Sequence, residues 1–188
     1  MPFETVRTIL REYRADTDAD KLLAMWNDPE IQRLVFIDYT APKPKSIVEE
    51  AAKGWQKPNG SGYFVIVEDK KAGAFLGQVS FSIVFPKTRV AEVGLSLVRE
   101  TWGKGIGTEL MEWAVQLGFE EWGVHRIQLS VSEENARAIA LYKHLGFTQE
   151  GFRRDFIWSG GRYWGLVQMS ILETEWDVKQ RKPREVHQ

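Results

Sequence analysis

The chain has 188 residues, 43% of them hydrophobic, which is enough for one well-buried α/β domain and short for two. A net charge of −1 argues against a general nucleic-acid-binding domain, and the absence of cysteine excludes disulfides, thiolate metal sites and an acyl-cysteine intermediate. The N-terminus lacks the apolar core of a signal peptide and no apolar run is long enough for a membrane span, so we expect a cytoplasmic protein without membrane contact. The three histidines lack the spacing of a metal site.

The first 57 residues predict one strand and two helices. The strand spans residues 8–13. Thr17 and Ser46 are each followed three residues later by an acid, a pattern typical of helix starts. We therefore expect one helix from Thr17 to near Pro29 and a second from Ser46 to residues 54–57.

The segment between residues 16 and 38 is acidic. Its six acids and two bases give an excess of four negative charges, six minus two. The acids are Asp16, Asp18, Asp20, Asp28, Glu30 and Asp38. We interpret them mainly as a solvated face and helix caps, with a cation-binding wall as the alternative.

Three predicted strands follow a loop at residues 58–62. They span 63–68, 74–85 and 90–98, with turns between them that contain glycine or proline. Meandering strands followed by strand-helix-strand-helix predict an α/β (α+β) fold with a mixed sheet and helices on both faces.

Three glycines at alternate positions lie where the strand over 90–98 gives way to a helical pattern. Gly103, Gly105 and Gly107 remove Cβ atoms at the start of that helix. The first turn of a helix has unpaired N–H groups and the positive end of the helix dipole, so this turn is a candidate phosphate cradle. Its spacing fits neither the P-loop nor the dinucleotide fingerprint.

Two motifs together resemble the GNAT superfamily of N-acetyltransferases. The segment Trp102-Gly-Lys-Gly-Ile-Gly-Thr108 resembles the family's acetyl-CoA pyrophosphate loop, with Trp102 where many members have Gln or Arg. The second, Asn135-Ala-Arg-Ala-Ile-Ala-Leu-Tyr-Lys-His-Leu-Gly-Phe147, resembles its other CoA motif. The Trp-Gly-Lys-Gly sequence is similar to the branch that contains the ribosomal-protein N-terminal alanine and serine acetyltransferases.

The resemblance implies a mostly antiparallel sheet of about seven strands with a V-shaped splay between strands 4 and 5. The cosubstrate is acetyl-CoA, whose pantetheine arm would lie in the splay against the strand backbone. One backbone amide there could also stabilise the reaction's oxyanion. The implied cofactor-binding residues are Leu97, Val98, Trp102, Gly103, Lys104, Gly105, Ile106, Gly107, Thr108 and Asn135.

The implied catalytic residues are Glu92 and Tyr142. Glu92 shares one face of its strand with Gly94 and Ser96, a polar face typical of a cleft, where it could accept the amine proton through water. The alternative is a structural glutamate. Tyr142 lies on the inward stripe of a helix from Asn135 to Gly146 and would protonate the departing thiolate, with a core aromatic as the alternative.

The chain closes with a predicted hairpin of strands at 148–158 and 162–172. Gly165 occupies a position where many relatives in the resembling branch carry aspartate, which weakens any substrate assignment drawn from them. We expect a single domain over residues 1–175 and a polar tail over 176–188, with a homodimer through the hairpin as one option.

These features predict an acetyl-CoA-dependent N-acetyltransferase that moves the acetyl group directly to a primary amine. The acceptor is either a small-molecule amine such as a polyamine or a protein N-terminus, and the sequence leaves this choice open. The alternative is a non-catalytic acyl-CoA sensor that binds acetyl-CoA without turnover.

Overall fold

The computed structural model describes residues 3–55 and 62–180. The strands are β1 (Thr8–Glu12), β2 (Gly62–Asp69), β3 (Phe75–Phe85), β4 (Val90–Leu97), β5 (Arg126–Ser132), β6 (Thr148–Ser159) and β7 (Arg162–Leu172). The helices are α1 (Ala15–Trp26), α2 (Pro29–Val35), α3 (Lys45–Trp55), α4 (Ile106–Glu120), α5 (Ala136–Leu145) and α6 (Glu173–Gln180). No helix within these ranges combines the length and apolarity that a membrane crossing needs.

Across the described residues, one seven-stranded sheet has the order β1-β2-β3-β4-β5-β7-β6. All neighbouring strands are antiparallel except β4 and β5, which run parallel. Their pairing lasts three residues and ends at Glu92 opposite Gln128. Beyond it β4 stays paired with β3 and β5 with β7, so the two strands separate. This confirms the predicted mixed sheet and its splay between strands 4 and 5.

The two faces of the sheet carry different helices. Helices α4 and α5 cover the face that buries Val79, Val93 and Leu129, and this larger core also contains α6 through Trp176. Helices α1 and α3 pack on the other face, over Phe64 and the neighbouring β2 side chains. Between these cores, the second face of β4 and β5 borders a cleft.

Helix α1 begins at Ala15, two residues before the predicted start at Thr17. The reason is Asp18, whose carboxylate accepts a hydrogen bond from the Arg14 N–H at 2.8 Å and two from the Arg11 guanidinium at 2.7 and 2.8 Å. Asp18 therefore satisfies the first turn from inside the helix, a geometry that the Thr17 pattern did not indicate.

Helix α2 was not predicted, and α3 begins one residue earlier than predicted, at Lys45. Asp28 caps α2 by accepting hydrogen bonds from the N–H groups of Glu30 and Ile31 at 2.8 and 3.2 Å. Proline follows as the first helical residue, a position that suits its fixed φ. Residues 58–61 of the predicted loop lie outside the described residues, and β2 begins at Gly62.

The C-terminal elements follow the predicted pattern. Asn135 caps α5 and Gly146 ends it with a φ of 99°, as expected. The closing hairpin places β6 at the edge of the sheet, and the hairpin exposes Phe156, Trp158 and Tyr163 on the surface where a homodimer is one option. The predicted boundary between domain and tail falls inside α6.

Candidate active site

The splay turns the backbone of β4 toward open space. The Val98 N–H donates to the Leu76 carbonyl at 2.9 Å, so in the regular antiparallel ladder Leu97 is a residue whose own N–H and C=O point away from β3. The backbone N–H and C=O of Leu95, two residues earlier in β4, also point away from β3. The Trp102 indole N–H donates to the Leu97 carbonyl at 2.9 Å. The Leu97 N–H and both backbone groups of Leu95 therefore face the gap between the separated strands β4 and β5, which we call the slot. The Val98 N–H is instead paired with β3.

The glycine loop makes a tight turn directly onto the first turn of α4. Gly103 and Gly105 have φ of 74° and 77°, left-handed values that disfavour a side chain, and Gly105 is the N-cap. A Cβ on Gly103 would meet nothing within 4 Å, so open space lies beside it. Ile106 buries its side chain in the core, and the first N–H groups of α4 have no partner within the helix.

A hydrogen bond from Arg7 to the middle residue of this turn fixes the position of the turn. The Lys104 carbonyl accepts a hydrogen bond from Arg7 at 2.7 Å, and the Lys104 side chain is on the surface. Gly107 packs so closely that a Cβ there would lie 3.2 Å from Leu141 of α5. The packing of α4 against α5 therefore sets the distance between the two motifs.

Trp102 and Asn135 lie beside the loop. The Arg137 guanidinium stacks on the Trp102 ring, 4.1 Å from its centroid, which is a favourable cation–π distance. The Asn135 side-chain oxygen accepts a hydrogen bond from the Ala138 N–H at 3.1 Å, so that atom serves as the helix cap. Trp102 thus holds both a strand carbonyl and a cleft arginine.

One cleft of about 620 Å³ joins these features. The predicted site residues that line it are Leu97, Trp102, Gly103, Gly105, Gly107, Thr108, Asn135 and Tyr142. Glu92, Val98, Lys104 and Ile106 do not line it. Its volume is in the range of sites that enclose a drug-sized ligand.

Tyr142 lies on α5 at the cleft, with its ring packed on Phe147 at a centroid distance of 5.7 Å. Burial raises the pKa of the Tyr142 hydroxyl to about 12, because the phenolate form would lose its hydration. The hydroxyl is therefore protonated across the physiological range and acts as a donor.

Glu92 lies outside the cleft at the end of a polar strip. On the face of β4 that carries Glu92, the next residues are Gly94 and Ser96, and both of them line the cleft. Ser82 and Gln78 of β3 lie opposite Glu92 and Ser96. The Glu92 side chain is exposed, so any path from the cleft to its carboxylate runs along this strip and through water.

The family model described as the acetyltransferase (GNAT) domain matches residues 7–148. The uncharacterized N-acetyltransferase p20 of Bacillus licheniformis is 30% identical over 179 residues, which cover 92% of this chain and 96% of that protein. The chain belongs to the GNAT acetyltransferases. It is an N-acetyltransferase, and acetyl-CoA is its cosubstrate.

Relatives of this GNAT acetyltransferase differ in the acceptors that their names give. A putative ribosomal N-acetyltransferase of Bacillus subtilis is 30% identical over 56% of this chain and 57% of its own length. A spermidine N(1)-acetyltransferase of Vibrio cholerae is 31% identical over 59% of this chain and 64% of its own length. The resemblance to the ribosomal acetyltransferases is thus confirmed, and the chain is similar to spermidine acetyltransferases as well.

A structural neighbour supports the GNAT fold. The crystal structure of spermidine N-acetyltransferase from Vibrio cholerae in complex with CoA and spermine superposes with a TM-score of 0.80. The match covers 90% of this chain and 97% of the neighbour at 24% identity.

The cleft of this GNAT acetyltransferase also contains residues that were not among the predicted site residues. They line it from α1, α2, the segment after α2, α3 and β3, and include Trp26, Leu34, Phe36, Asp38, Ile47, Gln78 and Ser80. The sequence signal for most of them is only apolar helical periodicity, which also describes ordinary core residues. Asp38 appeared among the acids of residues 16–38 but without a role.

The acidic segment does not form an acidic wall in the structure. Five of its six acids have a basic side chain within 4 Å: Asp18 has Arg11, Asp20 has Lys45, Asp28 and Glu30 have Arg99, and Asp38 has Lys43. All of these basic partners lie outside the segment. The local excess of negative charge is therefore compensated by the fold.

Among the described residues, no group of three or more His, Asp or Glu side chains is arranged to hold a metal ion.

The glycine at position 165, where many relatives have aspartate, has a steric reason. A Cβ on Gly165 would lie 2.0 Å from the Phe152 ring, so a larger residue requires that ring to move.

Proposed function

We propose that this GNAT acetyltransferase transfers the acetyl group directly from acetyl-CoA to a primary amine within one ternary complex. The observation that carries the proposal is a single cleft shared by the splayed strands, the first turn of α4 and Tyr142. With no cysteine in the chain, an acyl-cysteine intermediate is excluded, which favours direct attack.

The glycine loop supplies the phosphate site in this proposal. The N–H groups of residues 106–108 and the open space at Gly103 offer donors and room for the pyrophosphate. The exposed Lys104 adds a positive charge nearby without entering the cleft.

The splay supplies the pantetheine site. The Leu97 N–H and the backbone of Leu95 can pair with the amides of the arm as an added strand would. Val98 supports the slot indirectly, since its N–H and carbonyl bond to Leu76 and Thr101. Asn135 has its amide N–H₂ available for the arm while its oxygen caps α5.

The transfer needs two protons removed from the ammonium and negative charge stabilised on both the oxyanion and the sulfur. The first proton passes through water toward Glu92, the neutral amine nitrogen attacks the thioester carbon, and the Leu97 N–H is the proposed donor to the oxyanion. The nitrogen then loses its second proton to water as the C–S bond breaks, leaving an amide and the CoA thiolate.

Tyr142 acts at the departing sulfur as a hydrogen-bond donor. Burial raises its pKa to about 12, so the hydroxyl keeps its proton and offers it to the sulfur as the C–S bond breaks. The hydroxyl lowers the barrier by bonding the sulfur, and solvent supplies the final proton.

Initial-velocity kinetics test this proposal, with thiol release measured while acetyl-CoA and the amine are varied together. Intersecting double-reciprocal lines are expected, because both substrates must be bound before transfer. Parallel lines would indicate a covalent acetyl-enzyme and contradict direct transfer. Acetyl-CoA binding with no thiol release for monoamines, polyamines and N-terminal peptides would instead favour the sensor function.

A further inference from the structure

The acceptor end of the cleft is walled by apolar side chains. The slot and the glycine loop account for the cosubstrate half of the cleft, so the body of the acceptor lies against the other half. The apolar wall there, contributed by α1, α2, α3 and the start of the loop after α2, consists of Trp26, Leu34, Val35, Phe36, Ile47 and Ala51. Asp38 is the sole carboxylate among the described residues that line the cleft.

A buried lysine neutralises that carboxylate. The Lys43 ammonium lies 2.7 Å from the Asp38 carboxylate and 4.7 Å from the centroid of the Phe36 ring, and its side chain is only 5% exposed. The Lys43 backbone exchanges two hydrogen bonds with the Asn27 side-chain amide, at 2.7 and 3.1 Å. The positive charge is therefore fixed beside the acceptor end.

The carboxylates around this wall are also occupied. Glu30 pairs with Arg99 at 3.1 Å, and one oxygen of Glu134, in the turn before α5, pairs with Arg33 of α2 at 2.5 Å, while its other oxygen is buried without a hydrogen bond. The Arg137 guanidinium adds a further positive charge where it lines the cleft. The acceptor end thus has no excess negative charge with which to bind several ammonium groups.

We propose that the acceptor is a monoamine whose single amino group is attached to an apolar alkyl or aryl body, and that polyamines are poor substrates. This inference rests on the proposed transferase function and narrows its acceptor. The second ammonium of a polyamine would lie against the apolar wall without a carboxylate partner, which is a costly burial of charge. An apolar body instead gains by leaving water on the same surface.

Matched amines test the inference. Hexylamine and hexamethylenediamine have the same chain and differ in one terminal ammonium, so their kcat/KM ratio isolates the effect of that charge. We expect hexylamine and phenethylamine to exceed hexamethylenediamine and spermidine by at least about 30-fold, because an unpaired buried charge is strongly disfavoured. Equal or higher kcat/KM for the diamine, or for peptides that begin with alanine or serine, would overturn the inference.

A pair of variants at an exposed wall residue gives an independent readout. Val35→Glu adds a carboxylate to the wall, and Val35→Gln adds the same shape without charge. We expect the diamine-to-monoamine ratio to be about tenfold higher in Val35→Glu than in Val35→Gln. Equal ratios in both variants would show that wall charge does not select the acceptor. No thiol release with any amine would contradict the transferase function itself, whereas turnover with diamines alone would contradict only the acceptor class.

Discussion

Replacing Tyr142 with phenylalanine removes one hydroxyl and keeps the ring that packs on Phe147. If the hydroxyl bonds the departing thiolate, the variant loses a hydrogen bond to a charged group, worth about 1.5–3 kcal/mol. At about 1.36 kcal/mol per factor of ten, kcat should fall about 10- to 150-fold. The acetyl-CoA Kd should be unchanged, because this bond strengthens only as charge develops on sulfur.

The assay is thiol release at saturating acetyl-CoA, with the Kd measured separately by calorimetry. Tyr163→Phe is the matched control, since it removes a hydroxyl from an exposed tyrosine on β7 that lies outside the cleft. The pKa of about 12 adds a second expectation: the wild-type rate should show no loss below pH 10 from ionisation of Tyr142. A Tyr142→Phe variant with kcat within threefold of wild type would refute the role at sulfur.

Three further outcomes follow from single side chains. Glu92→Gln should lower kcat/KM about ten- to a hundredfold at pH 7, which is the low end for a general base because water intervenes. The control Glu112→Gln, on the exposed face of α4, should leave kcat/KM unchanged. A pH–rate profile of Glu92→Gln equal to that of wild type would remove Glu92 as the base. Gly103→Ala should weaken acetyl-CoA binding about 5- to 30-fold in calorimetry, because a left-handed φ costs an alanine about 1–2 kcal/mol; unchanged affinity would show that the loop need not hold this conformation. Burial alone raises the pKa of Asp18, but hydrogen bonds from Arg11 and from a backbone N–H outweigh it and lower the pKa. The resulting stability is present above the unfolded pKa of about 3.9 and is lost as pH falls through the folded pKa, so the free energy of unfolding should drop below about pH 4 in wild type and less in Asp18→Asn.

The strands were predictable because their ends carry local chemistry. The Gly160-Gly161 turn separates β6 from β7, and Gly146 ends α5, each through left-handed backbone conformations that glycine permits. The sequence also located the glycine loop, since its function depends on residues that adjoin each other in the chain. Boundaries of these elements differ from the predicted ones by at most one residue.

Helix starts in the N-terminal segment were harder because tertiary contacts set them. Asp18 resembles a residue of the first turn, yet its carboxylate reaches Arg11 on β1 as well as the Arg14 backbone, which moves the start of α1. Helix α2 has seven residues, which are too few to show a recognisable helical periodicity. The clearest remaining signal was the Asp28-Pro29 pair, which is typical of a capped helix start.

The electrostatic character of the acceptor end was the least predictable feature. A count over residues 16–38 gives four excess negative charges, whereas the partners that compensate them include Lys43, Lys45 and Arg99, which lie outside that window. Charge balance in a cleft depends on which side chains the fold brings together. Relatives with the same motifs can therefore bind acceptors of very different charge.

Trp102 shows how a departure from a motif is compensated by its contacts. Where many family members have Gln or Arg, the indole N–H bonds the Leu97 carbonyl, and the ring supports Arg137. In the proposed function, the slot consequently offers the Leu97 N–H to the pantetheine arm, while the Leu97 carbonyl accepts from the indole. An arginine at position 102 would add a second positive charge near Arg137, and like charges repel. The tryptophan instead holds the Arg137 cation at the cleft through its ring, so the departure from the motif leaves this corner of the cleft ordered.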